Sequence, residues 1–138
     1  MKSINGKSLI RHALSAMKQA YAPYSRFRVG AAVLTGDGTV FTGCNVENAS
    51  YGLTTCAERV AIQTAVAHGC RTIQAIAVVA PGNSPPTPCG ACRQVLAEFA
   101  TPETPVFMAS ARRPRVISMS TLGNLFPLQF DLPTTRKE

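Results

Sequence analysis

Cysteine, glutamate and arginine stand together at Cys56-Ala57-Glu58-Arg59, and a tight cysteine pair follows at Pro88-Cys89-Gly90-Ala91-Cys92. The C-x-x-C spacing lets both sulfurs point at one ion. A helix start at each cysteine segment would present free N–H groups and a partial positive charge, which lower a thiol's pKa and favour the thiolate. Three thiolates brought together leave one corner of a tetrahedral zinc open, and an open corner separates a catalytic site from a structural one. Glu58, two residues after Cys56, can reach that corner without ligating. A metal-bound water is acidified toward neutrality, and a nearby carboxylate can take its proton and pass it on. Zinc with three thiolates carries a net charge of −1, so a guanidinium at Arg59 that donates to ligand sulfur would offset it.

Each of these residues has a plainer reading. Cys89 and Cys92 fit a redox pair, although no thioredoxin-like context surrounds them. A closed four-cysteine site would need Cys44 or Cys70, neither of which has ligand-like spacing; both read as small buried side chains. Glu58 alone would be a favourable partner for a helix dipole, and Arg59 alone a surface salt bridge. His12 and His68 fall on helix surfaces or ends and read as structural. The coincidence of Cys56, Glu58 and the later pair favours the catalytic reading.

These residues need elements to position them. The 138 residues suffice for one domain with a real core, taken here as residues 1–138. Apolar residues at 46% and charged residues at 15% describe a globular chain and argue against disorder. The longest apolar run, Ala75 to Ala80, is far too short for a membrane span, and the N-terminus lacks an apolar signal stretch, so a cytoplasmic location is expected. Five cysteines cannot all pair within one chain. The net charge of +7 permits attraction to polyanions. Its tightest cluster, Arg112-Arg113-Pro114-Arg115, reads as a solvated loop ahead of a nucleic-acid contact.

Residues 7–20 place Leu9, Ile10, Ala13, Leu14 and Met17 on one helical face. Phe27 to Leu34 and Thr39 to Cys44 read as strands of a hairpin turning at Gly36-Asp37-Gly38. The loop from Asn45 to Gly52 leads to a helix capped by Thr54 or Thr55 and stopped at Gly69. Gln74 to Ala80 lacks polar alternation, as a strand covered on both faces should. A proline-rich loop from Pro81 to Pro88 precedes a helix over Cys89 to Phe99, with Val95, Leu96 and Phe99 inward. Val106–Ala109 and Arg115–Ser118 are further strands, and Ser120 or Thr121 caps a short last helix. The alternation predicts an α/β sandwich with helices on both faces of the sheet.

The combined pattern resembles the zinc-dependent nucleoside and base deaminases, whose signature places the glutamate beside one ligand and ends in P-C-x-x-C. YAPYSRFRVGAAVLTGDG, FTGCNVENASYGLTTCAERVAI and PCGACRQVLAEF are similar to the small homotetrameric cytidine deaminases over roughly residues 8–132. The resemblance implies a three-layer α/β/α sandwich around a mixed five-stranded sheet, one zinc per subunit on Cys56, Cys89 and Cys92, and Glu58 as proton shuttle. It implies that Asn45 and Glu47 hydrogen-bond the ribose hydroxyls, that Phe27 packs on the pyrimidine, and that the Ala57 backbone meets the base edge. Ala49, Ser50 and Tyr51 would approach a neighbouring subunit's site, and Phe130 would close the pocket. On the residues alone, Phe27 also reads as core, and Asn45 and Glu47 as turn residues. Where the family usually carries Leu-Leu-Pro and a later Gly-Pro, this chain has Leu125-Phe126-Pro127 and Phe130-Asp131-Leu132-Pro133.

The implied activity is hydrolytic deamination of cytidine and 2′-deoxycytidine, in pyrimidine salvage. Two alternatives stay open. One is a related deaminase acting on another aminopyrimidine, such as a nucleoside antibiotic or an N4-modified cytidine. The other is a non-catalytic zinc module that binds nucleic acid, which the positive charge suits and Glu58 does not.

Overall fold

A computed structural model describes residues 4–132. The first helix, α1 (Gly6–Met17), starts at Asn5, whose side chain accepts from the Ser8 amide at 3.1 Å. It buries Leu9, Ile10 and Ala13. Strands β1 (Gly30–Thr35) and β2 (Val40–Cys44) form the expected hairpin. A single 3-10 turn over Tyr51–Leu53 precedes α2 (Ala57–Ala67). Then come β3 (Ile73–Ala80), α3 (Gly90–Phe99), β4 (Pro105–Ser110), β5 (Ser118–Thr121) and a four-residue α4 (Leu122–Leu125).

The five strands lie in the order β2-β1-β3-β4-β5. β3 and β4 run parallel and the other neighbours antiparallel, so the sheet is mixed as the resemblance implies. One face carries α1, packed through Leu9, Ile10 and Ala13 against Ala32, Ala75, Ala77, Val79, Phe107 and Ala109. Alanines on the strands let that helix lie close. The other face carries α2, α3 and α4, with Ala61, Ile62, Leu96 and Leu122 packed on Ala31, Val33, Ile76, Val106 and Met108. Both faces of β3 are therefore dry, which is why its sequence shows no polar alternation. Its one exposed residue, Gln74, falls where the register shifts: Leu34 pairs with Ala75 and Thr35 with Ile73. Among the described residues no helix is long and apolar enough to cross a membrane.

Element boundaries, and the burial of two cysteines, differ from expectation. β1 begins at Gly30, three residues after Phe27, because the preceding residues form a turn with Arg26 in the left-handed region at φ 59°. The cap of α2 is Cys56 itself; Thr55 instead exchanges backbone hydrogen bonds of 3.0 Å with Val46 in an isolated bridge. The last strand spans Ser118–Thr121, since Arg113 to Val116 close a turn through Val116 N–H to Arg113 C=O at 3.0 Å. Cys44 and Cys70 are half-buried rather than fully buried. Thr121 caps α4 as expected, accepting from the Asn124 amide at 3.2 Å.

Gly43 sets how near α2 lies to the sheet. A Cβ there would stand 2.5 Å from Ala57 C=O and 3.0 Å from Ala61 Cα, with the Ala61 amide nearer still. Only a glycine lets the first turn of α2 rest on β2 this closely.

Candidate active site

Two helix N-termini converge on the α2/α3 face. Cys56 is the N-cap of α2 and Cys89 the N-cap of α3, both with extended backbone and no side-chain capping bond, so neither thiol is diverted to an amide. Cys92 lies in the first turn of α3 and is buried. The three Sγ atoms fall within 4.8 Å of one another. Cys56 and Cys89 sulfurs are 3.9 Å apart, and Cys89 and Cys92 sulfurs 3.4 Å.

Tetrahedral thiolates at about 2.3 Å from zinc would be about 3.8 Å apart, so the observed spacings suit that ion. Cys44 and Cys70 stand outside the cluster; Cys70 Sγ lies 3.8 Å from Asp37 Oδ2 instead. With three sulfurs in the set and no fourth cysteine, the closed-site reading falls.

Charged side chains stand around the sulfurs. Arg59 is half-buried, and its Nη2 donates to Cys56 Sγ at 3.3 Å. Its Nε is buried without a hydrogen-bond partner, a cost that a negatively charged metal–thiolate cluster beside it would offset. The guanidinium therefore rests on the sulfur of Cys56. Hydrogen bonding with Cys92, together with Arg59, pulls the Cys56 thiol down to about 5. Cys92 moves the other way, because it shares its proton with Cys56 and is buried. Glu58 is only 5% exposed, and that burial raises its carboxyl above the ordinary value, with the Cys56 charge adding to the effect.

The loop around Asn45 and Glu47 is held from both sides. Tyr21 N–H donates to Asn45 C=O at 2.9 Å and Glu47 N–H to Tyr21 C=O at 2.9 Å, while Val46 bridges to Thr55 beside Cys56. Both side chains are buried and face the Tyr24–Val29 turn. Asn45 Oδ1 accepts from Val29 N–H at 2.9 Å and Nδ2 donates to Phe27 C=O at 2.8 Å. Glu47 Oε1 accepts from Tyr24 N–H at 3.0 Å and Ser25 N–H at 3.1 Å, and Oε2 from the Ser25 hydroxyl. The hydroxyl of Ser25 in particular holds the Glu47 carboxyl below its usual range. These two residues therefore fasten the turn that presents Phe27, a turn 16 to 23 positions away from them in the sequence.

Phe27 is 47% exposed, which removes the reading of it as core. Ala57 is fully buried in the first turn of α2. Ala49, Ser50 and Tyr51 are exposed, and Tyr51 meets Tyr24 edge to face at 5.9 Å between ring centres. Phe130 is exposed, its carbonyl accepting from Gln94 Nε2 at 3.2 Å. Pro133 lies outside the described residues.

Two residues escaped the sequence reading. Arg93 donates from Nε to Pro88 C=O at 2.7 Å and from Nη1 to Leu125 C=O at 2.5 Å, tying the loop before Cys89 to α4. Gln94 ties the C-terminal segment to α3. Their only sequence signal is adjacency to Cys92, because the acceptors at Leu125 and Phe130 are backbone carbonyls more than 30 positions downstream.

Residues 4–108 match the family described as the cytidine and deoxycytidylate deaminase zinc-binding region. This chain belongs to that deaminase family. A cytidine deaminase from Halalkalibacterium halodurans is 50% identical over 122 residues, covering 88% of this chain and 91% of the relative. One from Sporosarcina psychrophila is 47% identical over 124 residues, covering 90% of each. The crystal structure of cytidine deaminase from Burkholderia pseudomallei superposes with a TM-score of 0.87 at 47% identity, covering 92% of this chain and all of the other. The deaminase fold, and a zinc-binding region served by a three-cysteine cluster, are thus shared with this family.

Proposed function

We propose that this chain, acting as one domain over residues 1–138, hydrolyses cytidine and 2′-deoxycytidine to uridine and 2′-deoxyuridine with release of ammonia. The observation that carries the proposal is the buried Glu58 carboxylate, two residues from a ligand cysteine and beside three gathered thiols. Cys56, Cys89 and Cys92 would hold a zinc ion, which would supply Lewis-acid activation of the attacking water. Glu58 takes the proton that water gives up and delivers it to ring N3 as the oxygen adds to C4. Glu58 then takes the proton of the new C4 hydroxyl and passes it to the amino nitrogen, which leaves as ammonia while the C4 carbonyl forms. Burial raises the carboxyl toward the working pH, where one group can serve as base and then as acid.

Around that centre, the first-turn backbone of α2 at Ala57 would meet the base edge, and Phe27 would pack on the pyrimidine. Asn45 and Glu47 would hold the ribose hydroxyls with the capacity left over from fastening the turn. Phe130, roped to α3 through Gln94, would close the pocket. Tyr51 at 68% exposure and Leu53 at 69% are costly to leave in water, which supports a homotetramer in which Ala49, Ser50 and Tyr51 reach a neighbour's site. We propose the cytoplasm as its compartment and pyrimidine salvage as its setting.

Glu58→Gln tests the proposal. Zinc content should persist while turnover of cytidine, followed by ultraviolet absorbance, falls by about 10²–10⁴-fold. A variant with near-normal turnover would remove Glu58 from the chemistry.

A further inference from the structure

The arginine cluster noted in the sequence does not act as one unit. Arg112 donates from Nη1 to Asn83 Oδ1 at 2.9 Å, and with Arg113 it lines a small recess formed with Gly82, Asn83 and Ser110. Arg115 instead faces α1. There it borders a separate cleft of about 470 Å³ with Lys7, Arg11, Leu14 and Pro114. Lys7 and Arg11 are one helical turn apart on the exposed side of α1. Three cations share one concave surface, and among the described residues no carboxylate lines it. Leu14 and Pro114, both half-buried, give it an apolar wall. The cleft lies on the α1 side of the sheet, whereas the three thiols lie on the α2/α3 side.

We propose that this cleft binds a small polyphosphate ester of nucleoside triphosphate size. Three cations around one concavity suit several phosphates on one molecule better than a single carboxylate. A volume in the range of about 300–1,000 Å³ is that of sites for small molecules, and Leu14 with Pro114 offers a surface for a flat base. A nucleic-acid strand fits less well, because Arg112 is already engaged with Asn83 and, with Arg113, lines a different recess from Lys7, Arg11 and Arg115.

The test is calorimetric titration of the zinc-loaded full chain with adenosine triphosphate, with inorganic triphosphate and with a single-stranded RNA 12-mer, zinc content being checked afterwards. Adenosine triphosphate and inorganic triphosphate should both bind, more weakly as salt rises. The Arg11→Ala/Arg115→Ala pair should weaken both by about 10- to 100-fold. Arg112→Ala should leave them unchanged, and Arg11→Lys should keep most of the affinity. The substituted side chains are exposed, and melting temperatures matching the unsubstituted protein would show that the fold is intact. Cytidine turnover of the double variant should equal that of the unsubstituted chain. Absence of triphosphate binding, binding that survives the double substitution, or binding of RNA alone would each overturn the proposal.

Discussion

Gly43→Ala would separate the two halves of the metal site without touching a ligand. The new methyl would meet Ala57 C=O at 2.5 Å and Ala61 Cα at 3.0 Å, all backbone and none of it able to swing aside. To reach ordinary contact at 3.4 Å from the Ala61 amide nitrogen, which stands at 2.4 Å, the first turn of α2 must retreat by about 1.0 Å. Cys56 and Glu58 travel with that turn, while Cys89 and Cys92 stay on α3. Metal ligands tolerate displacements of about 0.2 Å, so the Cys56 sulfur would leave the ligand set. Overpacking of this kind costs about 1–3 kcal/mol, more than the roughly 0.4–1 kcal/mol that alanine gains by stiffening the unfolded chain. The sum lies on the destabilising side, and at about 4 °C per kcal/mol the melting temperature should drop by several degrees. Elemental analysis after dialysis should find zinc well below one per chain. Gly52→Ala, whose methyl would meet nothing within 4 Å, serves as the stability control. Full zinc occupancy with unchanged melting in Gly43→Ala would show that the closeness of α2 to β2 does not set the site.

Three further outcomes follow from the same geometry. Arg59→Ala removes the donor to Cys56 Sγ and should weaken zinc about 10- to 100-fold in competition with a chelator; unchanged affinity would deny the charge-balancing role. Asn45→Ala leaves Val29 N–H and Phe27 C=O without their partner, a loss of about 1–3 kcal/mol in urea unfolding accompanied by a higher KM; a change confined to KM would leave only a substrate role. Glu47 has a lowered carboxyl pKa in the folded protein, chiefly through the Ser25 hydroxyl, so the stability it contributes is complete above the unfolded value near 4.5 and is lost as pH falls through the lower folded value. Thermal unfolding between pH 6 and 3 should therefore steepen more in the parent than in Glu47→Gln, and superimposable profiles would refute the assignment.

Local sequence was enough to define the chemistry. Cys56, Glu58 and the Cys89–Cys92 pair are recognisable because ligand type and short spacing are properties of the chain itself, and helix N-termini follow from local hydrogen-bonding rules. The dry strand over Ile73–Ala80 and the amphipathic α1 were legible for the same reason: periodicity reports which faces are buried. Element ends were not. Phe27 left the strand because Asn45 and Glu47, 18 or more positions away, hold its turn in place, and Thr55 gave up capping for a bridge to Val46.

What only the tertiary structure decided is distance between segments remote in the chain. It brought the Cys56 sulfur to within 3.9 Å of Cys89 across 33 residues, buried Glu58 beside them and left Arg59 facing the sulfurs. It also divided the arginine cluster, sending Arg115 to α1 and Arg112 to Asn83. Residue type states what a side chain can do; packing against the sheet, through contacts such as Gly43 beneath α2, determines which of them meet.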